Sequence, residues 1–257
     1  MTKSLKPVQF IRSLDGKSKP QLLLFNDSLT YVVKFKNNRQ GTRVLVNEYV
    51  VGRLAQLLSL PAAPFKVVSI SQEFIKTSSE KTAKKFKAGN QFASVFIPNC
   101  TGLSRVPPRP LREEIENIEN IAGMVVFDHW VNNTDRGSNN ILLEPLPNRK
   151  YDLHLIDHAN CFPNEFKWTE ETVKENPNQV VHRTVHKWAA SLLTAKELQP
   201  YVEKIIALSN QSIYKVIQSI PNDWEVSPSE KAALFAYLVD AKNVLPHLIE
   251  KFTRKYM

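Results

Sequence analysis

The sequence predicts an α+β protein of two lobes: an antiparallel β N-terminal lobe carrying one helix, and a mainly helical C-terminal lobe. Three observations lead there. The first third of the 257 residues is rich in β-branched and aromatic runs divided by turn signals. Prolines at positions 107, 108 and 110 then punctuate the chain. Beyond them, apolar residues recur at helical spacing and helix-capping signatures appear. The expected lobes are residues 1–106 and 107–257, together forming one domain.

Residues 8–11, 21–25 and 30–35 read as strands of a meander, separated by Asp15-Gly16 and Asn26-Asp27-Ser28. A helix is expected over 46–58, where Val46, Val50, Leu54, Leu57 and Leu58 share helical spacing before Pro61 and Pro64 end it. Strands follow at 65–70 and 91–97, joined by a lysine-rich insertion from Lys76 to Lys87 that reads as a solvated loop. After the prolines, Ile115, Ile118, Ala122 and Val125 mark one face of a helix over 111–131. A hairpin is expected next, with strands at 141–143 and 153–156 and a turn over 145–149. The remainder reads as a helical bundle. Thr194 with Glu197, and Ser227-Pro228-Ser229-Glu230, have the spacing of capping boxes.

A hydrophobic content of 42% suffices for a substantial core without metal or disulfide staples. No run approaches the roughly 20 apolar residues of a membrane span. The first ten residues lack the apolar centre of a secretory signal. Cys100 and Cys161 are the two cysteines, a usage that suits a reducing compartment, so a cytoplasmic location is expected. The net charge of +9 favours acidic partners such as nucleotide phosphates. Nucleic acid and anionic lipid also fit that charge, but no motif for either occurs.

The most informative segment is 132–140, Asn-Asn-Thr-Asp-Arg-Gly-Ser-Asn-Asn, a polar stretch between a hydrophobic helix and a hydrophobic strand. Asp135 and Asn140 face one point if the chain turns tightly, which Gly137 permits. Asp135 then orients or deprotonates an acceptor hydroxyl, and Asn140 offers Mg²⁺ a neutral oxygen at about 2.1 Å. Asp157 closes the second hairpin strand, placed to bind a metal that bridges nucleotide phosphates. The hairpin returns it beside Asn140. Ordinary turn chemistry accounts for either segment alone; both together, in this order, point to phosphoryl transfer.

Lys34 and Glu48 are an independent check. A lysine inside an apolar strand precedes a helix with a glutamate in its first turn, the pair that grips and positions the α- and β-phosphates in protein kinases. Lys36 shares the strand face by period two; Lys34 is preferred because residues 31–35 are the more apolar run. For Glu48, compensation of the helix dipole is the structural alternative. Ser18 and the backbone around Gly16 are candidate phosphate contacts, although a plain hairpin turn explains the same residues.

These pieces resemble the HipA-like kinase family and, more distantly, type II phosphatidylinositol 4-kinases. The resemblance rests on Tyr31-Val-Val-Lys34-Phe, Asn47-Glu48-Tyr49 with Arg53-Leu54-Ala55, Asn133-Thr134-Asp135-Arg136-Gly137 with Asn140, and Ile156-Asp157-His158. It implies a protein-kinase-like fold, with Asp135 as catalytic aspartate, Asn140 and Asp157 as magnesium ligands and Lys34 as phosphate-binding lysine. Asn-Thr-Asp stands where ordinary protein kinases carry His-Arg-Asp, and Asp-His-Ala where they carry Asp-Phe-Gly.

His182 and His186 have the i, i+4 spacing of a helical metal pair but lack the neighbouring glutamate of a zinc protease, so a structural or solvated role is expected. Asp128, His129, His154 and His158 are too few for a metal phosphohydrolase, a reading that also leaves Lys34 and Glu48 unused. The sequence therefore points to an ATP- and Mg²⁺-dependent kinase acting on a hydroxyl, first of a protein serine or threonine. The alternatives are a lipid or small-molecule kinase, a nucleotide-binding pseudokinase scaffold, and a non-enzymatic basic adaptor.

Overall fold

The chain is seen in a computed structural model that describes residues 4–78, 85–175 and 179–257. Five strands form the first sheet: β1 (Pro7–Ser13), β2 (Gln21–Phe25), β3 (Thr30–Lys34), β4 (Phe65–Ile70) and β5 (Gly89–Val95). All neighbours are antiparallel, in the order β1-β2-β3-β5-β4. Period-two alternation divides the sheet's residues between two environments. Tyr31 and Val33 join Leu23, Phe25, Val68, Ile70 and Ala93 in a core on the outer face, covered by Ile75 of α2 (Gln72–Thr77). Val32, Lys34, Phe92 and Ser94 face the other way and line a cleft.

One long helix, α1 (Arg43–Leu57), crosses between β3 and β4. It begins three residues before the expected start, and Leu57, expected in its buried stripe, is exposed. Gly52 is required for close approach: a Cβ there would stand 2.5 Å from the Phe65 ring.

The second lobe carries a small sheet of β6 (Thr101–Gly102), β7 (Ile141–Pro145) and β8 (Tyr151–Leu155). Because β6 pairs with β7, the chain passes from the first sheet to the second over residues 96–100. The lobes are stitched where the Leu155 amide donates to Pro61 O at 2.8 Å and the Ala63 amide donates to Leu155 O at 3.1 Å.

The helix expected from 111 starts later, as α3 (Glu119–Trp130). Upstream, Asn117 bonds both the carbonyl and the amide of Leu153, and the Glu116 amide donates to Tyr151 O at 2.9 Å. Pairing along the β8 edge therefore satisfies backbone that a helix would otherwise have claimed. The bundle is completed by α4 (Glu170–Val173), α5 (Thr184–Leu192), α6 (Ala195–Ala207), α7 (Asn210–Gln218) and α8 (Pro228–Tyr256). Both expected capping boxes form, at Thr194/Glu197 and Ser227/Glu230. Among the described residues, no helix is long and apolar enough to cross a membrane. Of the lysine-rich insertion, Glu80, Lys81 and Lys84 lie outside the described residues.

Candidate active site

The cleft between the lobes encloses about 600 Å³. Its walls are apolar, from Val32, Phe92, Ala63, Leu142 and Leu155, and its polar end holds Lys34, Glu48, Asn140 and Asp157. Lys34 ends β3, where alternation turns it into the cleft. Its ammonium donates to Glu48 Oε1 and to Asp157 Oδ1, the latter at 2.9 Å. Lys36 instead pairs with Asp223 at 2.9 Å.

Burial alone would lower the Lys34 pKa, but Asp157 and Glu48 hold it above the usual lysine range, so the ammonium persists. Burial also works against the Asp157 anion, yet Lys34 overrides it and keeps that carboxyl below its usual range. Burial pushes Glu48 up, with Lys34 opposing. Asp157 is therefore the more firmly charged of the two, and with its side chain 46% exposed it is also the one a ligand can reach. Two carboxylates against one ammonium leave an excess negative charge that a cation would balance.

α1 reaches the chain beyond Asp157 through consecutive side chains. Glu48 Oε2 accepts the His158 amide at 3.0 Å. Asn47 donates to Ala159 O at 2.7 Å and Cys161 O at 3.1 Å, while accepting from Trp168 Nε1 at 2.8 Å. Asp157 itself adopts φ 56°, an uncommon left-handed conformation for a non-glycine residue, held by these surroundings.

The Ile156 amide donates to Asn140 O at 3.1 Å, which sets Asn140 next to Asp157 across the hairpin return. Asn140 Nδ2 donates to the Asp135 carbonyl at 2.9 Å. This bond engages the amide nitrogen, so the amide oxygen is the atom available to a cation. The pair Asn140–Asp157 is an all-oxygen donor set lining the cavity, a fit for a hard cation such as Mg²⁺. The Asp135 carboxylate accepts from Asn160 Nδ2 at 2.5 Å and stands 3.6 Å from Arg183 Nη2. Ser18 is buried and does not line the cavity; from that turn Asp15 and Gly16 do.

Beneath this loop lies a buried network that the sequence reading did not assemble. Asp128 accepts from Arg136 Nε and Nη2, each at 3.0 Å, from Asn133 Nδ2 at 3.0 Å, and lies 3.1 Å from His186 Nε2. Burial resists the Asp128 charge, but Arg136 overcomes it and holds the carboxyl well below its usual range. Arg136 Nη1 also donates to Ile156 O at 3.0 Å and Asn140 O at 3.3 Å. Its Nη2 lies 3.3 Å from His158 Nδ1, which must accept because a guanidinium only donates. Burial, then Arg136, pushes His158 down to about 3, so the ring is neutral. One guanidinium thus ties the 132–140 loop to the strand end at 156–158.

His182 and His186 do not form a helical pair. α5 starts at Thr184, His182 Nδ1 lies 2.8 Å from Val180 O, and His186 turns inward to Asp128. The signal available in the sequence was Asp128 at the end of a hydrophobic helix, eight residues before Arg136. Asn160 and Arg183 carried no signal, because only folding brings them to Asp135.

Comparison with known proteins agrees with this fold. No curated protein matches the chain. Among solved structures, the Helicobacter pylori proinflammatory kinase CtkA is similar at a TM-score of 0.63 and 13% identity, with 96% of each chain covered. The Golgi casein kinase is similar at 0.54 and 10% identity, over 97% of this chain and 75% of that one. A Golgi casein kinase structure with Mn/ADP bound scores 0.50 at 11% identity, over 96% and 74%. These likenesses establish the protein-kinase-like fold. The HipA-like kinase model matches residues 9–255, nearly the whole length, and the chain belongs to the HipA-like kinase family of phosphotransferases.

Proposed function

We propose that the protein binds MgATP in the interlobe cleft and transfers the γ-phosphoryl group to a serine or threonine hydroxyl of a protein. The observation that carries this reading is the gathering of Lys34, Glu48, Asp157 and Asn140 at one end of the cavity, with Asp135 bonded to Asn140. Lys34 neutralises charge on the α- and β-phosphates and is held by Glu48. Asp157 and Asn140 would hold the cation, which would supply neutralisation of phosphate charge. Asp135, its carboxylate steadied by Asn160, orients the acceptor hydroxyl and takes its proton. Backbone at Gly16 covers the phosphates, a role for which Ser18 is misplaced. The Mn/ADP-bound Golgi casein kinase, of the same fold, is in keeping with a divalent ion accompanying the nucleotide here.

A protein acceptor is favoured by a second cavity of about 350 Å³ beside Asp135, lined by Thr134, Glu165, Val180, Val181, His182 and Arg183. Its mixed apolar and charged lining suits a peptide segment better than an acyl chain. The test is phosphoryl transfer from ATP into a cell extract with and without Mg²⁺, acceptors being identified by mass spectrometry, alongside Asp135→Ala and Asp157→Ala. Transfer should require Mg²⁺ and fall at least about 100-fold in both variants. Equal labelling by all three proteins would remove the enzymatic assignment, and label confined to lipid would replace the acceptor.

A further inference from the structure

We propose that Cys100, Glu144 and His154 form a second metal site at the rim of the cleft, one that takes a thiophilic divalent cation, Zn²⁺ by its ligand chemistry. The strand register brings these residues together. β7 pairs Leu142 with His154 and Glu144 with Asp152, while Ile141, Leu143, Leu153 and Leu155 are buried on the opposite face. Cys100 immediately precedes β6, whose Thr101 pairs with Leu143 and Gly102 with Leu142. The thiol, a Glu144 carboxylate oxygen and a His154 ring nitrogen all lie within 4.8 Å of one another. Ligand atoms of a tetrahedral zinc stand roughly 3.3–3.8 Å apart, given bonds of about 2.0–2.3 Å. Small side-chain rotations close that difference.

A separate observation points to a cation. Glu144 and Asp152 are directly opposed across the hairpin, an arrangement that costs stability unless positive charge lies nearby. The thiol ligates as the thiolate, so metal binding displaces its proton. On binding, the S–H proton goes to solvent and the S–Zn bond forms. The imidazole Nε2 of His154 donates to Glu144 Oε2 at 2.8 Å in the metal-free protein; to ligate the ion it would give up that proton, leaving the neutral ring's proton on Nδ1. Three protein ligands leave a fourth position for water or Asp152. Thiolate and imidazole separate this site from Asn140–Asp157, whose oxygens suit a hard ion. Cys100 ends the segment that crosses between the lobes, so the ion would tie that crossing to the β7–β8 hairpin.

The full chain, stripped of metal and held in excess Mg²⁺, is titrated with Zn²⁺ against a chromophoric chelator, and with Co²⁺ to read thiolate charge-transfer absorbance. One equivalent should bind, with the absorbance present and the apparent affinity rising with pH. Cys100→Ser and His154→Gln should each weaken binding about tenfold or more, whereas Asp157→Ala should not. Zn²⁺ should also protect Cys100 from alkylation in the unmutated protein, a readout that needs no variant to fold. Absence of binding, unchanged affinity in Cys100→Ser, or loss only in Asp157→Ala would overturn the site while leaving the kinase reading intact.

Discussion

Replacing Arg136 with alanine tests the network that positions the candidate active site. The guanidinium and Asp128 are both fully buried. Its removal strands the Asp128 carboxylate with only Asn133 and His186, and leaves the carbonyls of Asn140 and Ile156 short of a donor. Breaking one side of such a pair costs about 3–5 kcal/mol. In a chain of this size each kcal/mol shifts Tm by about 2–4 °C, so a fall of roughly 6–20 °C is expected. Urea denaturation of the wild type, Arg136→Ala, Asp128→Ala and the double variant supplies a complete cycle. The double variant should lose clearly less than the sum of the singles, since the second deletion removes a charge already orphaned. Arg136→Lys keeps the charge but cannot span Asp128 and both carbonyls, and should fall between. An Arg136→Ala loss under about 1 kcal/mol, or an additive cycle, would refute the reasoning.

Four further outcomes follow from particular contacts. Lys34→Met should abolish phosphoryl transfer while weakening nucleotide binding, read by single-turnover kinetics and a nucleotide titration; unchanged transfer would exclude Lys34 from the phosphate site. Gly52→Ala should cost about 1–3 kcal/mol by driving a Cβ against the Phe65 ring, and Phe65→Leu should recover part of it; Tm values check both. Asn47→Ala orphans the Trp168 indole and frees the Ala159 and Cys161 carbonyls, and should raise amide exchange at 158–161 more than in α6. His129 is pushed down to about 4 by burial and then by His186. The unfolded chain therefore binds more protons than the folded one between pH about 6.5 and about 4, so stability rises with pH across that window and is lost as pH falls, by up to ~1.4 kcal/mol per unit; His129→Gln should flatten this slope in denaturation measured at several pH values.

Strands were legible where apolar runs met turn residues: residues 21–25 and 65–70 read from the sequence are the strands that form. The helix expected from 111 was not legible, because the apolar spacing of Ile115 and Ile118 cannot reveal that Asn117 bonds β8 instead. The strand β6 was not legible for a related reason. Prolines mark where helices and strands cannot continue, whereas a two-residue strand such as β6 is defined by its partner alone. At the site, the residues whose types already imply phosphate or metal chemistry could be named in advance. Those that hold them could not. Arg136 reads in sequence as one polar residue of a loop, and Asn160 as one of a turn; their roles come from burial and from partners up to 25 positions away.

The contacts of α1 argue that the site is assembled before any ligand arrives. Glu48 holds Lys34 with one oxygen and the His158 amide with the other, so α1 cannot move away without losing both. Such a move would also strand a buried carboxylate, which costs far more than either hydrogen bond. The opposite side of the helix is anchored as well. Tyr49 donates to Ser219 Oγ at 2.8 Å, Arg43 pairs with Glu230, and Trp224 Nε1 donates to Asn90 O at 2.9 Å to bring the α7–α8 connection against the first sheet. Held from both sides, α1 keeps two carboxylates and an ammonium together at the expense of the fold's own stability. On the proposed reading, a charged nucleotide and its cation would meet groups already in place, with little reorganisation left to oppose transfer.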